Sequence, residues 1–468
     1  MQRRSKSVAG ASRALFPMLL GCSFIASFVQ SMVNVALPKM ADEFSVTISN
    51  ANWLIVGYMV VAAVSVMLAA FLLKRLGLRR VFFAGGAALV AGSGLASFAP
   101  DFLTLLGCRM LQAVGTGLFF PVVTSAIMAN SPKENLGTGL ALNSGIIAIG
   151  LAVSPVVSGL ALTYFGRAAM FAVPCVLALV LLLAGFFLVR GAKGGVRVSV
   201  DPLSVVLGLV GLGALMYGLG EITHDFIPSI IALGVGVVGL ILFVWRQLVL
   251  DSPLLNLRPL RSPRFSVGIV LIMVGTLISF SMSILLPLYY EGAAGYTAFF
   301  AGLLLLGPVL VNAVFTFIGG RLLDRYGIWP LLPAGLVVVL VGQAGVFFSA
   351  EGLMMVLVVA ASALVYAGVG FVVAPSKTAA LRQLPPDLSP HAASINSTAV
   401  QIASALGSSI FVGVLSADVL RDTAAGVTKT QAYAAGFTHT LIIAIGIAVA
   451  GLVLAFFYAR ALRRKGRR

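Results

Sequence analysis

Apolar runs of about twenty residues recur from one end of the chain to the other, broken by short polar stretches. About twenty apolar residues suffice for a helix to cross a bilayer. The pattern therefore predicts membrane helices at 14–36, 51–73, 81–99, 102–128, 138–163, 168–189, 202–220, 227–247, 265–288, 298–320, 329–349, 353–376, 392–415 and 436–459. The runs are continuous, whereas a membrane barrel would show short alternating segments. The expected fold is an all-α polytopic membrane protein with fourteen spans. The first run follows the basic stretch MQRRSK, as in a signal peptide. It is too long for one and ends in VNVALPKM without a small-residue cleavage site, so it is read as a retained span.

The pattern also repeats. Leu72-Leu73-Lys74-Arg75-Leu76-Gly77 returns as Leu322-Leu323-Asp324-Arg325-Tyr326-Gly327, in each case after the second span of a six-span block. The expected division is a cytoplasmic N-terminus at 1–13, a first six-helix bundle at 14–190, two additional helices at 201–248, a second bundle at 265–459 and a basic tail at 460–468. Two parallel six-helix halves are one way secondary transporters are built, with the site between the halves.

Composition agrees with the pattern: 60% of residues are hydrophobic and 10% charged, against about 25% charged in soluble domains. A net charge of +17 first suggests nucleic acid, but its distribution argues otherwise. With both termini in the cytoplasm and the sides alternating, all Lys and Arg fall inside except Lys39, Arg167, Arg421, Lys429 and Arg109. That is the positive-inside bias of plasma-membrane proteins. Lipid is the expected partner of the basic tail, and no nucleic-acid partner is expected. Cys22, Cys108 and Cys175 lie in apolar runs without metal or disulfide spacing. His224, His391 and His439 are scattered, so neither metal nor cofactor is expected. Gly234-x-Gly236-x-x-Gly239 has a dinucleotide spacing but sits within an apolar run with no strand before it. No loop carries a phosphate-binding GxxxxGK[ST] and no nucleophile–base pair stands out, so the chain reads as a non-enzyme.

Arg109 alone among the charged residues falls well inside a predicted span. A charge there costs roughly 2.5–3.5 kcal/mol on insertion scales and usually serves a function. Gln112 follows one turn later. Two roles are open for Arg109: a cavity charge that meets an anionic group or steers protons, or a helix-to-helix tie through carbonyls and Gln112.

The motifs resemble the major facilitator superfamily, specifically its fourteen-helix drug:proton antiporter branch. Gly320 to Gly327 resembles the superfamily's loop motif G-x-L-x-D-R-x-G. The first copy, ending in Arg75 and Gly77, has Ala70 and Lys74 at two motif positions. Arg109-x-x-Gln112-Ala-x-Gly115 resembles the fourth-helix motif. Gly150-x-x-x-Ser154-Pro155-x-x-Ser158-Gly159 resembles the fifth-helix antiporter motif, with Ser at two glycine places. Val33-Asn34-Val35-Ala36-Leu37-Pro38 resembles the branch's first-helix signature. Pro253-Leu254-Leu255, Arg264-Phe265, Leu286-Pro287-Leu288-Tyr289, Gly295-Tyr296 and Ala301-Gly302 resemble its later signatures.

The resemblance implies export of small molecules by alternating access, driven by protons, by a protein working as a monomer. It implies gating loops at Arg75, Gly77, Gly320, Asp324, Arg325 and Gly327. Cargo contacts are expected among Gln30, Asn34, Trp53, Tyr58, Asn143, Asn312, Asn396 and Gln401. One departure bears on coupling: Val29 stands where the branch carries an Asp, and no Asp or Glu falls deep in a predicted span. Alternatives are an organic-anion uniporter, exchanger or importer, or a lipid-handling or non-transporting membrane partner.

Overall fold

The computed structural model describes residues 2–130, 136–189, 201–223, 225–384 and 388–465. Among the described residues the helices run α1 Gln2–Ser31, α2 Leu37–Glu43, α3 Ile48–Leu76, α4 Leu78–Ser97, α5 Phe102–Asn130, α6 Leu136–Leu188, α7 Pro202–Glu221 and α8 Phe226–Val249. A single 3-10 turn, Arg258–Arg261, precedes α9 Pro263–Gly292, α10 Ala298–Tyr326, α11 Ile328–Glu351, α12 Met355–Leu381, α13 Ser389–Ala424 and α14 Lys429–Lys465.

Twelve of these helices are long and apolar enough to cross a membrane. The apolar part of α1, Leu15–Ser31, is shorter. The long α6 is two limbs that meet at Gly166, whose φ of +81° breaks the helix. With α6 counted as two limbs and the shorter α1 segment included, the apolar segments match the fourteen expected. The short α2 was not predicted: its first turn holds Pro38, and it continues the line of α1 after five turn residues. Large apolar side chains point outward, among them Phe187, Ile231 and Phe317, which suits a lipid-facing surface and no aqueous one.

Local chemistry sets the helix ends. Thr47 and Thr297 each accept a hydrogen bond from the backbone N–H three residues on and so cap α3 and α10. Both helices end at a left-handed glycine, Gly77 at φ +81° and Gly327 at φ +75°, where a Cβ would be strained. Asp201 caps α7 and takes a bidentate pair from Arg246 of α8, at 2.5 and 2.9 Å. The Arg246 guanidinium and the Ser204 hydroxyl hold the Asp201 carboxyl well below the usual carboxylate range. That bridge closes the α7–α8 hairpin.

Helices α1 and α3 to α6 pack among themselves, as do α9 to α14. Two long crossings join these sets, α3 against α13 and α6 against α10. The α7–α8 pair lies outside, with α7 touching both α3 and α13. The alternation of crossings puts the start of α1 and the end of α14 at one end of the bundle, the terminal end; the other is the far end.

Glycine contacts expose the repeat in three dimensions. A Cβ at Gly115 of α5 would lie 2.6 Å from the carbonyl oxygen of Gly85 in α4. A Cβ at Gly368 of α12 would lie 2.6 Å from that of Gly335 in α11. Likewise Gly92 abuts Cys108 and Gln112, as Gly342 abuts Ala361 and Val365. Gly117 meets Ala62 and Val66, as Gly370 meets Phe315 and Thr316. Helices α3 and α4 map onto α10 and α11 with the offset of the two hexamers, but α5 maps onto α12 three residues further on. Close backbone approach through small residues is what holds membrane helices together where apolar burial gives no drive.

Candidate functional site

The seam between the two helix sets carries polar side chains. Gln30 of α1 donates its Nε2 to Gln401 Oε1 of α13 at 3.4 Å and also approaches the Met59 sulfur at 3.8 Å. One turn toward the far end, Asn34 Nδ2 donates to Ser283 Oγ of α9 at 2.9 Å. Asn34 Oδ1, Asn396 Oδ1 and Thr398 Oγ1 are buried without a hydrogen-bond partner. Such atoms cost free energy until something satisfies them. The groups that meet here are amides and hydroxyls.

Further toward the far end the seam closes. Asn52 and Ser408 bond reciprocally: Asn52 Nδ2 donates to the Ser408 carbonyl at 3.1 Å, and Ser408 Oγ donates to Asn52 Oδ1 at 2.6 Å. The Ser49 amide donates to Ser416 Oγ, and Ser49 Oγ donates to Glu221 at the end of α7. Across the other crossing, the Phe299 amide donates to Thr163 Oγ1 at 3.3 Å. There a Cβ at Gly159 would collide with the Ala298 carbonyl, and one at Gly302 with the Pro155 carbonyl. The fifth-helix motif thus forms the tightest part of this crossing. Its other members face α1: Ser154 Oγ donates to the Phe28 carbonyl at 2.5 Å, and Gly150 leaves room for Ser27.

Arg109 lies elsewhere. It is fully buried inside the first set. Its Nε donates to the Leu54 carbonyl and its Nη1 to the Val29 carbonyl, both at 3.2 Å, and Nη1 also donates to Gln112 Oε1 at 2.7 Å. Gln112 Nε2 passes the chain on to Ser93 Oγ at 2.8 Å. The guanidinium sits 4.2 Å from the Tyr58 ring centre, a cation–π contact, and Tyr58 donates to Thr116 at 2.7 Å. Where the resemblance expects an Asp, the backbone carbonyl of Val29 supplies the acceptor. This web ties α1, α3, α4 and α5 together.

The expected cargo contacts divide accordingly. Gln30, Asn34 and Gln401 converge on the seam, and Asn396 lies on α13 just toward the terminal end. Trp53 stacks toward Tyr217 of α7, Asn143 accepts from Ser23, and Asn312 donates to the Tyr366 carbonyl. With Tyr58, these serve contacts inside one set or with α7. In the loop motifs Arg325 lies over the Tyr326 ring at 5.2 Å. His224 and the side chains of Lys74 and Asp324 lie outside what is described.

Two carboxylates were not anticipated. Glu291 occupies the last turn of α9, three residues past the predicted end of that span. Asp418 lies three residues past the predicted end in α13, where it pairs with Arg421 and His439. Hydropathy alone stops a span near its first charge. The helix-compatible stretch beyond Leu288, with no Gly or Pro before Gly292, was the signal for Glu291.

A family model described as Major Facilitator Superfamily matches residues 19–408. The chain is 30% identical over 456 residues to the lincomycin resistance protein LmrB of Bacillus subtilis, covering 94% of this chain and 95% of the relative. It is 27% identical to the multidrug resistance protein Stp of Mycobacterium tuberculosis, covering 82% and 72%. Among solved structures, the POT family transporter PepTSo aligns with a TM-score of 0.67 at 14% identity, over 96% of this chain and 98% of that one.

Proposed function

Because the chain belongs to the major facilitator superfamily, we propose that it exports small, amphipathic, largely uncharged compounds by alternating access, driven by the proton gradient. Family membership makes it a multi-pass carrier of the plasma membrane and not an enzyme. The observation that carries the cargo reading is the amide and hydroxyl cluster of Gln30, Asn34, Ser283 and Gln401 on the seam. A cluster of this kind recognises hydroxyls and amides on an otherwise apolar cargo. The names of the relatives, lincomycin resistance and multidrug resistance, support antibiotic-like compounds as that cargo. Arg109 is enclosed by its own helix set, which favours the helix-tie role over the cavity charge and weakens the organic-anion alternative.

In this reading the terminal end faces the cytoplasm, the two helix sets of 14–190 and 265–459 rock about the seam, and one chain suffices. The α3–α4 and α10–α11 turns, with Arg75, Gly77, Gly320, Asp324, Arg325 and Gly327, gate the cytoplasmic side. Pro155 and Gly159 of the α6 motif supply the surface on which α6 slides past α10.

The test is uptake of a lincosamide and of neutral, anionic and cationic dyes into everted vesicles, with and without collapse of the pH gradient. Uptake of the lincosamide and neutral dye that vanishes on collapse is expected. Uptake that survives collapse overturns proton drive, and uptake of the anionic dye alone overturns the cargo class.

A further inference from the structure

The far-end closure holds a carboxylate outside the cargo cluster. Glu291 sits in the last turn of α9, and its Oε1 is shielded from solvent with no hydrogen-bond partner. The charged groups that face it come from α2, Lys39 and Asp42. Tyr433 of α14 also neighbours it, with its ring packed so closely on Gly292 that no Cβ would fit there. On its own helix Tyr289 and Tyr290 precede it. Lys39 is committed to the Leu162 carbonyl at 2.9 Å. Lys429, at the start of α14, pairs with Asp42 at 3.6 Å.

Three effects disfavour a negative charge at Glu291 in this closed arrangement. The free carbonyls at a helix C-terminus repel an anion. Asp42 adds a like charge, which the nearby Lys39 ammonium opposes more strongly, so lost hydration is the dominant effect. A shielded, unpartnered carboxylate oxygen has lost its hydration without replacement. The neighbours are divided between the sets, α2 with the first and α9 and α14 with the second. Opening the far end draws α2 away and admits water.

We propose that Glu291 is a protonation site that couples closing of the far end to uptake of one proton. On closing, the carboxylate takes a proton from water on the far side; on reopening it returns the proton to the same side. No other bond changes. The proton times the gate and does not cross the membrane, so the inference rests on the alternating-access reading but not on proton drive. The sign follows: the closed state binds the proton more tightly, so acid on the far side favours closure and alkali favours opening.

The test uses spin labels on cysteines placed at Phe98 and Val427, both exposed at the far end in opposite helix sets, with Cys22, Cys108 and Cys175 replaced. Pulsed-resonance distances are measured in cargo-free lipid nanodiscs from pH 5 to 9. Two distance populations are expected. Their ratio should change by up to about tenfold per pH unit for one linked proton, the short distance growing as pH falls. Glu291→Gln should hold the short distance at every pH. Asp42→Asn removes the like charge, eases ionisation and should move the transition to lower pH. A Glu291→Gln variant that keeps the wild-type pH response overturns the proposal, and so does an unshifted transition in Asp42→Asn. A single distance under all conditions, with cargo or without, contradicts alternating access itself and the proposal with it.

Discussion

The α4–α5 pair and the α11–α12 pair are built on one backbone frame and filled differently. In both, glycines bring the two helices into backbone contact at two matched levels, and a third glycine, Gly117 or Gly370, meets the preceding helix α3 or α10 in the same way. In the first pair the space holds a charged web: Arg109, Gln112, Ser93 and, from α3, Tyr58. With the three-residue shift, Ser362 stands where Arg109 does and Val365 where Gln112 does. Gln343 takes the place of Ser93 and Pro308 that of Tyr58. Ser362 Oγ bonds back to the Val359 carbonyl beside the Tyr290 hydroxyl, and neither amide atom of the fully buried Gln343 has a partner. The frame is a packing solution that tolerates almost any filling. The filling decides how each pair is tied, and the charged web lies in the first.

The largest effect that would break this contrast is at the charge. Arg109→Ala leaves Gln112 Oε1 and two buried carbonyls without their donor. It should destabilise the protein by roughly 3 kcal/mol, as when one partner of a buried charged network is removed. Ser362→Ala at the matched position should cost less than about 1 kcal/mol. Thermal unfolding in detergent reads both, and equal losses would end the claim of unequal filling. Next come the frame residues. Gly115→Ala and Gly368→Ala each drive a Cβ against a carbonyl oxygen and should cost about 1–3 kcal/mol apiece. Here the two sets should respond alike; a clear loss in only one would mean that the frame is not shared. The smallest effect sharpens the picture from the other side. Gln343→Leu replaces an unsatisfied amide with an apolar group of similar size and should be neutral or stabilising by up to about 1 kcal/mol. A marked loss would reveal a polar role in the second set.

The spans and the repeat were legible because hydropathy and a six-residue turn signature are local properties. Arg109 announced a burial that needed partners. The partners themselves were not legible. Nothing local says that the Val29 carbonyl replaces a carboxylate, or that Gln30 reaches Gln401, 371 residues away. The three-residue shift between α5 and α12 was hidden because the hexamers register only α3 and α10. Glu291 and Asp418 were passed over because a run of hydropathy ends near its first charge, while a helix continues until its caps. Of the expected cargo contacts, Gln30, Asn34 and Gln401 bond across the seam; Asn143 and Asn312 lie on seam helices too, but satisfy backbone or side-chain partners inside their own sets.

The central claim is that cargo meets Gln30 and Gln401 on the seam while Arg109 holds its own helix set together. Steady-state export of a lincosamide by wild type, Gln401→Ala and Arg109→Ala, measured with the unfolding temperature of each, tests it most directly. Gln401→Ala should raise KM about five- to tenfold, near 1 kcal/mol of lost hydrogen bonding, with an unchanged unfolding temperature. Arg109→Ala should lower the unfolding temperature. The account is contradicted if Gln401→Ala leaves KM untouched while Arg109→Ala changes cargo preference at full stability.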